Sequence, residues 1–180
     1  MEEEDEFAAY AAARQHHLLR TAFLLCGDPV SAQDLAQEAL TNLCRAWSRA
    51  RRADSVDAYA RRTLINAYLR HRRRLGRDRE AQRALIGEAH ARDSVEQSEQ
   101  RLALLAALDQ LGKRSRAVLV LRYWEDMSVQ QTADVLGCSE GTVKSQTSRA
   151  LVRLRDLLGP QWLGPGAAAS AHSEAKGIGR

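Results

Sequence analysis

The stretch that decides the fold is MSVQQTADVLGCSEGTVKSQTSRALVRLR, residues 127–155. It predicts two helices joined by a tight turn. Ser128 is a suitable N-cap for the first helix, Gln131 completes a capping box, and Gly137 is the expected stop. Ser139 can cap the second helix, on which five apolar residues near helical spacing predict an inward face: Val143, Ala150, Leu151, Leu154 and Leu158.

The outward face of the second helix carries residue types that bind phosphates or base edges. Because a helix that follows a short turn can enter the major groove of DNA, the stretch indicates a helix-turn-helix. Basic residues on a helix commonly just face water, and amphipathic helix pairs occur in many all-α proteins. The stretch alone therefore leaves both interpretations open. The outward residues are Thr142, Lys144, Ser145, Ser148 and Arg149.

Composition limits the class of protein. The chain has 180 residues and a net charge of +4, which suits one ordinary domain or two small ones. No apolar run approaches the roughly 20 residues of a membrane span, and no signal peptide opens the chain, so we expect a soluble cytoplasmic protein. Of the 27 basic residues, 24 are arginine, and they are clustered. A local cluster matters more to a phosphate backbone than the net charge does.

No set of residues has the spacing of a catalytic or metal site. The cysteines are odd in number and far apart, so we expect Cys26, Cys44 and Cys138 to be reduced and to face the core, with redox sensing as the alternative. His16 and His17 are adjacent on a helix and have no partner at a useful spacing. We therefore expect neither an enzyme nor a protein with a metal ion or cofactor.

Helical periodicity runs through the first part of the chain. The acidic tip, residues 1–6, is expected to fray or to form the first turn of a helix that continues to Cys26. Residues 27–29 break it, and Ser31 is the predicted N-cap of a helix that ends near Ala50. Polar residues on one face of that second helix indicate, by themselves, only exposure to solvent. They are Asp34, Gln37, Glu38 and Asn42, with Arg45 further along.

The segment from Arg45 to Arg83 is strongly basic. It holds 13 arginines and four acids, a net of nine positive charges. Solvated charge runs usually mix signs, whereas this one is interleaved with aromatic residues, which suit stacking on unpaired bases. For each aromatic taken alone, a place in the core is the simpler interpretation. The aromatics are Trp47, Tyr59 and Tyr68.

Periodicity weakens between the two halves of the chain, which predicts a linker. Beyond it, Ser94 and Gln97 form a capping box for a helix through Leu111, and residues 115–124 form a short helix. No segment has the alternation of a strand. We therefore expect an all-α fold of two small helical domains joined by a flexible linker. The expected bounds are 1–76 and 94–158 for the domains, 77–93 for the linker and 159–180 for a disordered tail.

Three pieces of the sequence occur in a telling order: LLCGDPVSAQDLAQEAL, DAYARRTLINAYLRHRRR and LVLRYWEDMSVQQTADVLGCSEGTVKSQTSRALVRLR. In that order they resemble the extracytoplasmic-function sigma factors of the sigma-70 family, and the sigma-E-like set of actinobacteria in particular. The resemblance covers most of residues 15–158. It implies a sigma-2 domain followed by a sigma-4 domain, in a protein that binds core RNA polymerase, recognises promoter elements and promotes strand opening.

The resemblance implies two kinds of contact for the first domain. Residues 34–38 match the family's contact with the β′ clamp helices of RNA polymerase, with Asp34, Gln37, Glu38, Asn42 and Arg45 as anchors. Residues 51–57, the connector, and the helix after them match the segment that reads and melts the minus 10 element. The energy of opening DNA is recovered by binding the extruded base and strand. The implied minus 10 contacts are Trp47, Tyr59, Arg61, Arg62, Asn66 and Arg70.

For the second domain, residues 142–149 match the recognition helix that reads the minus 35 element. The implied contacts are the outward residues named above, with Arg122 and Tyr123 at the DNA backbone. Many relatives have basic or aromatic residues where this chain has Gln146 and Ser148, so their minus 35 sequence does not transfer. The resemblance also implies the polymerase β flap and an anti-sigma factor as partners.

Two other functions compete with a sigma factor. A dimeric helix-turn-helix regulator would bind duplex DNA symmetrically, but it leaves the basic segment unexplained. A helical protein-interaction module leaves the ordered match of three segments unexplained. Binding to core polymerase, with weak binding to isolated promoter DNA, separates a sigma factor from both.

Overall fold

The computed structural model describes residues 2–74 and 95–159, with side chains in 3–70 and 99–159. Within those ranges the chain is helical and has no strand, as predicted. The backbone divides into two compact units, unit 1 (residues 1–99) and unit 2 (residues 100–180). The predicted linker, the Ser94 capping box and the predicted disordered tail beyond Gly159 lie outside the described residues.

Unit 1 contains three long helices and one short helix. Helices α1, α2 and α4 pack against one another, and the short α3 packs against all three. Their core is formed mainly by Leu25, Leu35, Leu43, Leu64 and Tyr68, all of them almost fully buried. The bounds are α1 Glu2–Cys26, α2 Pro29–Arg45, α3 Trp47–Ala50 and α4 Val56–Arg74.

The N-cap of α2 is Asp28, so the prediction of Ser31 is wrong. The Asp28 carboxylate accepts a hydrogen bond from the backbone N–H of Ser31 at 2.8 Å. Pro29 occupies the first turn, where a missing N–H costs no helical hydrogen bond. The prediction also made this helix too long, because the chain leaves helical geometry at Ala46 before α3 begins.

Unit 2 is organised around its last helix. Helices α6 and α7 both pack on α8, and α6 continues into one turn of π-helix. Val118, Leu121, Leu136, Val143 and Leu154 are buried in this core. The bounds are α5 Val95–Asp109, α6 Lys113–Leu119, the π turn Val120–Trp124, α7 Val129–Leu136 and α8 Glu140–Leu158.

The predicted helix-turn-helix is confirmed by its caps. Ser128 and Gln131 exchange hydrogen bonds of 3.1 and 2.9 Å, which completes the capping box. Gly137 ends α7 in the left-handed conformation, with φ 61°. Ser139 caps α8 by accepting from the backbone N–H of Thr142 at 3.2 Å. These local bonds fix the turn that presents α8.

The short helix predicted at residues 115–124 has two geometries. It is α-helical to Leu119 and then widens into the π turn. The backbone N–H of Glu125 reaches the carbonyl of Val120 at 3.0 Å, and that of Met127 reaches Leu121 at 3.0 Å. This wider turn closes the C-terminal end of the helix and leads the chain into α7.

The three cysteines are free thiols in different environments. Cys26 is buried, Cys138 is half-buried and Cys44 is exposed. The prediction that all three face the core is therefore wrong for Cys44. The buried residues Leu35, Ala39 and Leu43 recur every four residues and lie on one side of α2. Cys44 directly follows Leu43, so it lies on a different side of the helix.

Gly137 gives a test of the turn. An added Cβ would meet nothing within 4 Å, so the cost of Gly137→Ala is conformational. We expect the free energy of unfolding of unit 2 to fall by about 1 to 2 kcal/mol, measured by urea denaturation. Gly141→Ala is the control, because Gly141 lies in the first turn of α8 without a positive φ. Alanine there should be neutral or slightly stabilising. Equal losses in the two variants would contradict the left-handed turn.

Candidate nucleic-acid interface

The outward face of α8 presents the predicted basic and hydroxyl residues. Lys144, Ser148 and Arg149 are exposed, whereas Val143 and Thr147 on the other side are buried. The first turn of the face is partly engaged in capping. The hydroxyls of Thr142 and Ser139 are 2.9 Å apart, and the Ser145 hydroxyl donates to the Thr142 carbonyl at 3.0 Å. The two cations and Ser148 are thus the more accessible groups of this face.

Arg122 has an internal role in this structure. It is half-buried, and its guanidinium Nη1 donates to the backbone carbonyl of Met127. This bond joins the π turn to the residue just before the helix-turn-helix. One nitrogen of the guanidinium is therefore engaged within the protein, and a contact between Arg122 and the DNA backbone stays a prediction. Tyr123, predicted beside it, is 57% exposed.

The outer face of α4 carries a line of polar side chains. Arg62, Asn66 and Arg70 are exposed and follow one another at four-residue spacing. Leu64 and Tyr68 are buried on the opposite side, against the core of unit 1. The residues Tyr59 and Arg61, also predicted to contact DNA, are half-buried near the start of the helix. The helix therefore holds a cationic line on a rigid support.

Trp47 is a core residue, which disagrees with the prediction that it contacts DNA. Its side chain is only 7% exposed. Phe7 meets the ring edge to face at 5.4 Å between centroids, and Tyr10 lies against it at 5.4 Å. Trp47 therefore packs against the side of α1 that carries these two aromatic rings. An unpaired base could reach this ring only after α1 had moved away.

The polar face predicted on α2 is accessible. Asp34, Gln37 and Arg45 are exposed, and Glu38 and Asn42 are partly exposed. The opposite side of the helix is buried in the core of unit 1. This arrangement gives a rigid surface of mixed charge.

Two features of the α2 face were missed from the sequence. Val30 is 71% exposed and lies one turn before Asp34 on the same side of the helix, which the spacing alone could have shown. Glu38 also lies 3.8 Å from Arg70 of α4, so one ion pair joins the polar face of α2 to the cationic line. The side chains of Arg70 and Glu38 are 64% and 42% exposed, and such a pair adds little stability.

Sequence reasoning also missed a set of contacts between α1 and the connector. Glu3 and Glu6 form ion pairs of 2.7 and 3.2 Å with Arg51, where the connector begins. Asp57, in the first turn of α4, accepts hydrogen bonds from Tyr10 at 2.9 Å and from Arg14 at 2.6 Å. The signal in the sequence was the acidic tip, residues 1–6, in a chain whose basic segment from Arg45 to Arg83 has only four acids of its own.

Tyr10 gives this cluster a pH dependence. Burial, and then the hydrogen bond to Asp57, raise the pKa of the Tyr10 phenol well above its usual value near 10. Arg14 and Arg61 oppose this shift through their positive charge. A phenol whose pKa is raised by folding stabilises the fold fully below pH 10, and this contribution is lost as the pH rises further.

The prediction is that the free energy of unfolding falls between about pH 9 and pH 11 by more in the wild type than in Tyr10→Phe. The phenylalanine ring keeps the packing on Trp47 but has no proton to lose. Urea unfolding at both pH values measures the difference, and absorbance near 295 nm follows ionisation of the phenols. An equal decline in the two proteins would contradict the role given to Tyr10.

Two absences concern the described ranges. None of the helices there is long and apolar enough to cross a membrane. Those ranges also hold no group of three or more histidine, cysteine or acidic residues arranged to bind a metal ion.

Comparison with known proteins identifies the family. The family described as Sigma-70 region 2 matches residues 9–78, and Sigma-70, region 4 matches residues 101–154. The RNA polymerase sigma-E factor of Streptomyces avermitilis is 42% identical over 153 residues, covering 85% of each chain. The chain belongs to the sigma-70 family. Its second matched region contains α7, the turn and most of α8, as far as Leu154.

Further relatives assign this sigma factor to the extracytoplasmic-function group. The protein named ECF RNA polymerase sigma factor SigM, from Mycobacterium tuberculosis, is 33% identical over 158 residues, with 86% of this chain and 79% of that protein covered. The sigma-E factor of Streptomyces coelicolor is 42% identical over 153 residues, with coverage of 85% and 86%. The prediction of a sigma-E-like member of the group is confirmed, and the two competing functions are not favoured.

Solved structures of similar fold support the all-α architecture. The sigma factor RpoE from Bartonella quintana, solved with the anti-sigma factor NepR, has a TM-score of 0.70 at 24% identity. That match covers 86% of this chain and 98% of the other. CnrH, solved with the cytosolic domain of CnrY, has a TM-score of 0.61 at 23% identity, with coverage of 86% and 88%. At these identities the likeness concerns the fold.

Proposed function

We propose that this sigma factor brings core RNA polymerase to promoters with minus 35 and minus 10 elements, and that it captures the opened strand at minus 10. The observation that carries the proposal is the cationic line of α4, in which Arg62, Asn66 and Arg70 are exposed at regular spacing on a helix whose other side is core. A regulator that only bound duplex DNA through α8 would have no use for this second surface.

The cationic line suits a single strand for chemical reasons. Guanidinium groups bind phosphates at any sequence, and this electrostatic term supplies much of the affinity for nucleic acid. Asn66 adds an uncharged amide that donates and accepts hydrogen bonds, as base edges require. In this proposal the connector holds a base extruded from the duplex, while the line holds the strand on either side. Binding the base and the strand recovers the energy of unstacking.

The helix-turn-helix supplies the contact with the minus 35 element. α8 enters the major groove with Lys144, Ser145, Ser148 and Arg149 toward the bases and phosphates. Arg149 suits guanine or a phosphate, because its guanidinium can donate two parallel hydrogen bonds. Thr142 contributes mainly by supporting the N-cap, because its hydroxyl lies 2.9 Å from that of Ser139. Trp47 is left out of the proposed contacts because it is buried, and Arg122 because its guanidinium donates to the Met127 carbonyl.

The face of α2 supplies the contact with the polymerase. Asp34, Gln37, Glu38, Asn42 and Arg45 bind the clamp helices of β′, and unit 2 binds the β flap. The mixture of exposed charge and amide groups suits a polar interface with a charged partner helix. Val30 adds an exposed apolar group at one end of the same face.

An anti-sigma factor is proposed as a further partner, and the protein is proposed to act in the cytoplasm. RpoE of Bartonella quintana was solved with the anti-sigma factor NepR, and CnrH was solved with the cytosolic domain of CnrY. Co-purification from the native cell tests this part. A failure to recover any partner, together with full activity of the free chain in those cells, would count against it.

The deciding experiment is transcription in vitro with core enzyme, followed by mapping of the start sites. The holoenzyme should initiate at a defined set of promoters, whereas core enzyme alone should not. The free chain should bind the same promoter DNA weakly. Tight binding of promoter DNA without polymerase, and no binding to core, would overturn the proposal in favour of a helix-turn-helix regulator.

A further inference from the structure

The connector is a short exposed segment held from both ends by α1. Arg51, Arg52, Ala53, Asp54 and Ser55 are all exposed in the structure. Their local hydrogen bonds reach back to the short helix α3, as from Ala53 N–H to the Ala50 carbonyl at 3.1 Å. A segment so exposed has little packing of its own to fix its shape. Contacts with another helix therefore have a large effect on it.

At the start of the connector, the first two turns of α1 bind Arg51 and its neighbours. Glu3 binds the Arg51 guanidinium at 2.7 Å and also accepts from the Ser48 hydroxyl at 2.8 Å. Glu6 binds the same guanidinium at 3.2 Å. The next residue of α1, Phe7, packs on Trp47, the first residue of α3. The carboxylates hold the arginine from two sides.

At the end of the connector, the next two turns of α1 bind Asp57. Its two carboxylate oxygens accept separately, one from the Tyr10 phenol at 2.9 Å and one from the Arg14 guanidinium at 2.6 Å. Asp57 lies in the first turn of α4, where a negative charge also favours the helix. A carboxylate gripped by two donors fixes where α4 begins.

The α1 residues that make these contacts lie on one side of the helix. Glu3, Glu6, Tyr10 and Arg14 follow one another at spacings of three or four residues, which places them in one line. Their partners are separated from them by 43 to 48 residues of sequence. The line thus links α1 to both ends of the connector, at Arg51 and at Asp57.

We infer that this line of α1 is a brace that holds the connector in the shape that receives an extruded base, and that Asp57 is its main positioning residue. The inference rests on the proposed function of the connector. A segment already held in its bound shape loses less conformational freedom when the base enters, so more of the contact energy appears as binding. The brace touches neither the base nor the polymerase, and it acts through the connector.

The ion pairs of Arg51 have a second interpretation, which predicts an effect of the opposite sign on promoter binding. If Glu3 and Glu6 merely neutralised Arg51, they would compete with the DNA for this cation. Their removal would then strengthen promoter binding. Under the brace, their removal loosens the start of the connector and weakens capture of the base. The sign of the effect decides between the two.

The experiment measures binding of holoenzyme to promoter fork DNA in which the minus 10 bases are already unpaired. Each minus 10 base is removed in turn to give an abasic site, with the sugar and phosphate kept. The wild type should lose about tenfold in affinity at the position of the captured base. Asp57→Asn should lose about the same amount on intact DNA and lose little more at that abasic position.

This loss of sensitivity to the base is what a general structural defect would not produce. If Asp57→Asn and the abasic site together weaken binding about 100-fold, the two effects are independent, because independent effects are additive in free energy. That result would overturn the brace. Thermal unfolding of Asp57→Asn should shift by only a few degrees, as expected from loss of the negative charge at the start of α4, and binding to core enzyme should be close to wild type. Tyr10→Phe, which keeps the ring on Trp47, should show a smaller shift in the same direction.

The double change Glu3→Gln and Glu6→Gln tests the start of the connector. It should weaken binding to intact fork DNA several-fold, and stronger binding would overturn the brace. Asp5→Asn is the matched control, since Asp5 is an exposed acid in the same turns of α1. It should leave binding unchanged. If no abasic position weakens binding of the wild type, the proposed capture of a base by the connector is wrong, and the brace is wrong as well.

Discussion

Replacing Asp34 by lysine is expected to abolish transcription by weakening binding to core RNA polymerase at least about 100-fold. Asp34 is exposed on the α2 face, and the helix behind it is fixed by the buried Leu35. A charge of the wrong sign in a polar interface leaves a partner charge unpaired and repels it, which costs several kcal/mol. Fluorescence anisotropy of a labelled chain titrated with core measures the loss.

Asp156→Lys is the matched control for this change. It alters the net charge by the same amount at an exposed position near the C-terminal end of α8. Core binding should stay within about twofold of wild type, because an exposed charge outside an interface acts mainly at long range and is screened by salt. Equal losses in the two variants would show an effect of overall charge. Unchanged binding in Asp34→Lys would contradict the proposed polymerase contact.

The helices could be predicted from the sequence because their signals are local. Ser128 and Gln131 lie three residues apart and satisfy each other, so the pattern on the chain is already the contact in the fold. The same local logic failed at α2. Asp28 and Ser31 are both residue types that cap helices well. Asp28 is the N-cap, because the proline that follows it suits the first turn of the helix.

The chemistry of the basic segment could be predicted only in part, because its partners come from far along the chain. The count of charges treated Arg51 and Arg70 as available cations. In the structure each has carboxylates beside it, from α1 and from Glu38 respectively. Trp47 was grouped with this segment by its position in the sequence, and its ring instead packs against α1. Periodicity shows which side of a helix is apolar but not what covers it.

The second large effect is expected in α8. Arg149→Ala and Lys144→Ala should each weaken binding of holoenzyme to promoters that contain a minus 35 element, by about 1 to 3 kcal/mol for Arg149 if it binds a base edge. That range corresponds to about 5-fold to 150-fold in affinity. Both side chains are exposed on the outward face, and alanine is a good helix former, so stability should change little.

Arg153→Ala is the control, because Arg153 is an exposed arginine one turn beyond Arg149 and outside the predicted reading segment. It should cost less than either of the other two changes. A matched promoter with a scrambled minus 35 element separates base contacts from phosphate contacts. If the substituted residue contacts a base, the substitution should no longer weaken binding on the scrambled promoter. If it contacts a phosphate, the substitution should weaken binding on both promoters and lower the salt dependence of binding.

The size of the α8 effect should also depend on the minus 10 element, because both domains are held on one polymerase. Once one domain is bound, the other meets its DNA at a high effective concentration, so two weak contacts give one tight complex. A weakened α8 should therefore be tolerated on a promoter with a strong minus 10 element and be severe on one with a weak element. If the α8 substitution lowers activity by the same factor on both promoters, and neither promoter is saturated with holoenzyme, the two DNA contacts are independent and additive in free energy. Full activity of Arg149→Ala on the weak promoter would contradict the minus 35 assignment of α8.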